Sequence, residues 1–346
     1  MMYTDRGKRV AKVAKNENDQ ALRVAVIGVG NMGKNHVRNY AEIGMANLVA
    51  ISDLNEELGR TMANEYGCRY YKDHNEMLDN EQIDAVTIVV PSKYHHAVGL
   101  DVIRRGIHVL MEKPIAMTEP EAQDLIDAAK QAKVKLMVGH VERFNPVVVK
   151  LREIIEEGKL GRIVSVATKR VSPMPGKIRD ANVLVDLAVH DIDIISHLYG
   201  SQPDRILANG GRAHLEDRDD HAEILLGYGD ASGSVDVNWV TPVRVRKMSV
   251  TGTGGYAEVD YLEQKLTLYP SVVTKTVVDY HVLLVKFGDP QTIDVPVEKH
   301  QPLAAEITSF LQSIVDDTPV FTSGDDGLAA LRVALAADAD IKKGRR

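Results

Sequence analysis

From Ala21 to about His140, short runs rich in valine and isoleucine alternate with helix-like stretches, and this alternation restricts the fold more than any other feature. The apolar runs lie at 22–27, 48–51, 85–90, 108–111 and 136–138; helical patterns lie near 31–44, 55–66, 94–105 and 118–133. Strands that are apolar throughout must be covered on both faces, which a parallel sheet between helices achieves. The expected unit is a doubly wound α/β domain over residues 21–141.

The pattern changes after His140. Residues 146–157 and 183–199 read as helices and 161–172 as a strand. Val235, Val237 and Trp239 then alternate with Ser234, Asp236 and Asn238, the period of a half-buried strand. Glycine-rich breaks at 227–229 and 252–255 suit antiparallel turns. Leu303, Ile307, Phe310, Leu311 and Ile314 mark one amphipathic helix, and Leu328, Leu331 and Leu335 another. Residues 142–346 are therefore expected to form an α+β domain on a largely antiparallel open sheet. The 346 residues suffice for two cores. Residues 1–20 are polar and basic, lack the apolar core of a secretion signal, and read as a tail.

Composition excludes several classes. The net charge of −7 argues against nucleic acid as a partner. No apolar run approaches the roughly 18 residues of a membrane span. A single cysteine, Cys68, leaves no intrachain disulfide and no cysteine zinc site, as expected of a cytoplasmic protein.

Gly28-Val29-Gly30-Asn31-Met32-Gly33 follows the first strand and opens a helix, the context a G-x-G-x-x-G needs to bind a dinucleotide. Gly28 permits the tight turn, Gly30 lets backbone approach the pyrophosphate, and Gly33 lets helix pack on strand. Asp53 follows Gly33 by 20 residues, where a carboxylate accepts from the ribose diol and repels a 2′-phosphate. NAD is thus expected over NADP; the alternative for Asp53 is a cap on the helix near Asn55.

Two further segments bear chemistry. Met111-Glu112-Lys113-Pro114 ends a strand, and ligands bind beyond the carboxyl ends of strands in open α/β sheets. Lys113 would project into that crevice, although a lysine there also serves as a plain solvated charge. Asp186 and His190, spaced i, i+4, share a helix face that Asp193 and His197 continue. A metal site is disfavoured because the stripe spans nearly three turns; a satisfied structural stripe is the bland reading. The sharper one makes His190 a general base, with Asp186 orienting it or the substrate.

The motifs Gly28–His36, Pro91-Ser92 with His95, Glu112-Lys113-Pro114 and Asp186…His190 resemble the Gfo/Idh/MocA oxidoreductase family. The resemblance covers nearly the whole chain after residue 20. It implies Lys113, Asp186 and His190 as the catalytic trio and places Ser92 and Glu112 at the nicotinamide end. It also implies assembly through the open sheet, as a homodimer or homotetramer. Arg179-Asp180-Ala181-Asn182 departs from the glycines many members carry there, which leaves the local substrate loop open. Gly139–Pro146 (GHVERFNP) is similar to the subgroup that oxidises UDP-N-acetylglucosamine at C3, with Arg143 and Asn145 at the domain junction. Asn145 and Pro146 also read simply as a helix start. Lys169, Arg170, Lys177 and Arg179 bracket a loop that suits a diphosphate, and solvated surface charge fits them as well. The remaining alternatives are an inositol or free-sugar dehydrogenase and a non-catalytic NAD-binding regulator.

Overall fold

The computed structural model describes residues 21–174, 182–271, 273–279, 282–288 and 291–345. The first half alternates strand and helix: β1 Leu22–Ile27, α1 Gly33–Glu42, β2 Ala46–Ser52, α2 Glu56–Tyr66, β3 Arg69–Tyr71, α3 His74–Asn80, β4 Ala85–Ile88, α4 His95–Ile103, β5 His108–Glu112, α5 Glu119–Ala132 and β6 Leu136–Gly139. The six strands form one sheet in the order β3-β2-β1-β4-β5-β6, with every pair parallel. The order reverses between β1 and β4, so the carboxyl ends of those strands open a crevice. β4 is buried throughout, as a strand covered on both faces must be. The short β3 and α3 leave little pattern in the sequence, because one is three residues long and the other mostly polar.

The second half comprises α6 Pro146–Glu156, β7 Ile163–Pro173, α7 Val189–Tyr199, β8 Arg205–Gly211, β9 His221–Tyr228, β10 Ala231–Asn238, β11 Val240–Gly252, β12 Gly255–Asp260, β13 Lys265–Pro270, β14 Val273–Asp279, β15 Val282–Phe287, β16 Ile293–Val295, α8 Pro302–Val315 and α9 Gly324–Gly344. Eight strands form a sheet ordered β16-β13-β12-β11-β7-β10-β9-β8; only β7 and β10 run parallel, and β14 pairs with β15 apart from it. Alternation in β10 buries Gly233, Val235 and Val237 against the helices. That core includes Leu151, Ile192, Ile195, Leu226, Val237 and Ala334, from α6, α7, the sheet and α9. The other face of the sheet carries polar residues and a concavity of about 690 Å³.

The cut expected between residues 141 and 142 is crossed again near the C-terminus. Leu303, Ile307, Phe310 and Leu311 of α8 are buried in the core that contains Val24, Val37 and Tyr40. Burying such side chains contributes about 1.5–3 kcal/mol each, which is why the amphipathic stripe returns to the parallel sheet. α9 starts at a capping box, Ser323 with Asp326, and packs Leu328 and Leu331 on the first core and Ala334 and Ala337 on the second. No described helix is long and apolar enough to cross a membrane.

Candidate active site

The glycine loop is shaped by three different constraints. A Cβ on Gly28 would lie 2.6 Å from the carbonyl oxygen of Val89, and φ there is +89°. A Cβ on Gly33 would lie 2.0 Å from the carbonyl oxygen of Gly28, so no side chain fits between strand and helix. Gly30 differs: its Cβ would meet nothing within 4 Å. The protein's own packing does not require glycine there, which leaves the room for a ligand. α1 has no side-chain cap and no acidic residue in its first turn, so its positive end is unopposed. Asn31 is exposed and Met32 half-buried on this loop. These features fit a dinucleotide's pyrophosphate.

Asp53 follows β2. Its Oδ2 accepts from Val29 N at 2.7 Å and its Oδ1 from Asn55 N at 2.8 Å, so it ties the glycine loop to the second strand. The cap of α2 is Asn55, which accepts from Leu58 N, not Asp53.

Beyond β4, Pro91 leads into a 3₁₀ turn, Ser92–Tyr94. His95 was expected to touch the cofactor. Instead it is buried, its Nδ1 lying 2.7 Å from the Pro114 carbonyl and its Nε2 2.9 Å from that of Val90. Burial pushes its pKa down, and both ring nitrogens face backbone, so it staples the β4 exit to the Lys113-Pro114 turn. Glu112, also buried, pairs with His36 Nε2 at 3.0 Å and accepts from Lys113 N at 3.2 Å. Burial alone would push the Glu112 carboxyl up, but the His36 hydrogen bond and the nearby positive charges hold it below the usual range.

The helix expected over 183–199 is not regular. Leu184–Ala188 is a π turn, with Val189 N donating to Leu184 O, and α7 begins only afterwards. Such wide turns cluster at functional sites. Here it changes the expected pairing of Asp186 with the imidazole. Lys113 Nζ donates to both Asp186 Oδ1 and the Asp186 carbonyl, each at 2.9 Å. Asp186 therefore orients Lys113, not His190. His190 stays at the solvent boundary, with its Nδ1 buried and unpartnered. Burial first, then the charges of Lys113, Arg170, Arg246 and His140, push the ring well below its ordinary pKa of 6.5. A neutral imidazole beside a lysine cation, at the mouth of a sheet crevice, can accept a proton while the lysine stabilises negative charge.

Three expected ligand contacts are otherwise engaged. Arg143 is buried and forks onto Asp193 at 2.8 and 2.6 Å, with Asp326 at 3.0 Å. Asn145 caps α6 and donates to Glu142 Oε2 and the Tyr261 carbonyl, both at 3.3 Å. Arg170 faces inward from β7, holding Asp191 at 2.7 Å and Glu142 at 2.9 Å beneath the Tyr261 ring. Two of these corrections share a cause: the charges of Arg143 and Arg170, buried at the junction, need partners, and Asp193, Asp326, Asp191 and Glu142 supply them. Lys169 points to the opposite face and pairs with Asp236. Lys177 and Arg179 lie outside the described residues. Glu142, His140, Asp191 and Arg246 are not marked out by the sequence pattern; the adjacent opposite charges Glu142-Arg143 in the junction segment are the available signal.

Together these features define the class, a dinucleotide-dependent oxidoreductase with its site at the seam of two cores. Residues 22–140 match the model of the oxidoreductase family with an NAD-binding Rossmann fold, and residues 148–258 match the GFO/IDH/MocA C-terminal domain. The chain belongs to the GFO/IDH/MocA oxidoreductase family. It is 30% identical over 329 residues to the UDP-N-acetylglucosamine 3-dehydrogenase of Acidithiobacillus ferrooxidans, covering 93% of this chain and 99% of the relative. The solved structure of that enzyme superposes with a TM-score of 0.82 at 29% identity, over 94% and 99% of the two chains. The myo-inositol 2-dehydrogenase of Thermotoga maritima is 26% identical over 341 residues, 94% and 97% of the two. A levoglucosan dehydrogenase in complex with NADH and levoglucosan shares the fold, with TM-score 0.80 at 24% identity over 94% and 98%.

Proposed function

We propose that this enzyme oxidises a CH–OH group of a nucleotide sugar, the 3-hydroxyl of UDP-N-acetylglucosamine or a close analogue. The observation that carries the reading is the joint held by Lys113: one ammonium bound to both the side chain and the carbonyl of Asp186, at the turn that leads to a neutral His190. Gly28, Gly30, Gly33, Asn31 and Met32 would hold the dinucleotide phosphates, Asp53 the adenosine ribose, and Pro91, Ser92 and Glu112 the nicotinamide end. Bound NAD supplies the hydride acceptor. His190 takes the hydroxyl proton as the C–H hydride departs and the C=O bond forms. Lys113 stabilises the developing alkoxide, and Asp186 keeps its ammonium in place. The similarity to the A. ferrooxidans enzyme supports a UDP-sugar, while that to an inositol dehydrogenase supports the second reading, a cyclic polyol. Assembly into a dimer or tetramer through the open sheet face is part of the same proposal.

The test is NADH absorbance with a panel of UDP-sugars, inositols and free hexoses, with and without 2-oxoglutarate. UDP-N-acetylglucosamine should give the highest kcat/KM. His190→Asn or Lys113→Ala should lower its turnover roughly 100-fold or more while NAD binding persists. Full turnover in both variants would refute the assigned roles, and preference for an inositol would replace the substrate.

A further inference from the structure

The buried arginine of β7 has a neighbour that its own network does not satisfy. Arg246 of β11 stands directly opposite Arg170 in the antiparallel register, so the two side chains share the helix-covered face. Like charges placed opposite each other are unfavourable, and Glu142 serves both. Arg170 is 2% exposed and fully engaged, with three hydrogen bonds of 2.7–3.2 Å to Asp191 and Glu142. Arg246 is not: among the described residues the one hydrogen bond of its side chain is to Glu142 Oε1, at 3.5 Å. Its side chain keeps 33% exposure, against 3% for that of Arg170. Arg244, exposed, stands two residues earlier on the same strand, where β11 bulges between Val240 and Val245. Burial, then the charges of Arg170 and Arg244, push the Arg246 guanidinium below its ordinary range. The charge of Arg246 is also among those that push the His190 ring down.

A two-thirds-buried guanidinium with one long contact is a poor structural element and a good anion receptor, because its planar fork matches phosphate. We propose that Arg246, with Arg244 at the rim, holds a phosphate of the substrate's diphosphate group. The inference rests on the dehydrogenase reading above and narrows it, since a neutral polyol offers these two residues no anion to pair with. The anion-binding role expected of Arg170 thereby passes to β11.

The experiment measures binding of UDP alone to the full-length protein in saturating NAD+, by calorimetry at two salt concentrations. Variants are Arg246→Gln, Arg246→Lys, Arg244→Gln and, as a control on the opposite face of the same strand, Lys247→Gln. Loss of one charge-assisted contact should weaken UDP roughly 10- to 100-fold in Arg246→Gln, less in Arg246→Lys and least in Arg244→Gln. Lys247→Gln should match the wild type, and NAD+ affinity should change less than twofold throughout. Glu142 keeps Arg170 and Asn145, so the Arg246→Gln fold should survive. Unchanged UDP affinity in the folded Arg246 variants, an equal loss of NAD+ affinity, or a wild type that does not bind UDP would each overturn the proposal. Oxidation of an inositol by that wild type would leave the dehydrogenase reading standing. UDP binding through Arg246 without oxidation of any sugar would sink that reading alone.

Discussion

The two sides of the seam are built by different physics. On the Rossmann side, function is set by backbone: Gly33 fits because no Cβ does, and Glu112 and Lys113 are aimed by the end of β5. On the other side it is set by buried charge: Arg143 with Asp193 and Asp326, and Arg170 with Asp191 and Glu142, hold the turn that carries Asp186 and His190. Backbone geometry is local and tolerates no substitution at a few positions. Charge networks join segments as far apart as Arg143 and Asp326, 183 residues, and fail when one partner is lost.

The first way to break the comparison is inside the glycine loop. Gly33→Ala should cost more than about 4 kcal/mol in urea unfolding or prevent folding, since its Cβ overlaps a carbonyl. Gly30→Ala should change stability by no more than about 0.5 kcal/mol yet weaken NAD at least tenfold, about 1.4 kcal/mol. Equal stability losses in the two would mean that Gly30 serves packing rather than a ligand.

That difference also explains what was legible in the sequence. The glycine loop, five of the six parallel strands and the crevice lysine follow from local pattern, because their geometry is written in neighbouring residues. Arg143 and Asn145 read as junction residues and Arg170 as part of a basic loop, none of them as buried, because nothing near them in sequence names Asp193, Tyr261 or Asp191 as partners. The π turn left no trace at all: 183–199 has an unbroken helical period, and only the lysine of β5 shows what the widened turn accommodates.

On the charged side, Asp193→Asn should destabilise by about 3 kcal/mol, because Arg143 keeps only Asp326. Equilibrium denaturation checks this, and a loss below about 1 kcal/mol would make the network ornamental. A smaller effect follows from His197, whose burial, with the charge of Arg143, pushes it down to about 4. Above pH 6.5 the ring is neutral folded or unfolded. Between 6.5 and 4 only the unfolded chain takes the proton, so stability falls as pH falls, by up to about 2 kcal/mol at pH 5. His197→Gln should shrink the drop in urea midpoint between pH 7.5 and pH 5; an unchanged drop would show that the ring titrates alike in both states.

The central claim is that a lysine from the backbone-built side and a histidine from the charge-built side act on one proton transfer. Single-turnover NADH formation in Lys113→Met, His190→Asn and the double variant tests it most directly. Residues working as a unit should give a double variant about as slow as the slower single one. Losses that multiply, each residue removing its full factor regardless of the other, would contradict the account.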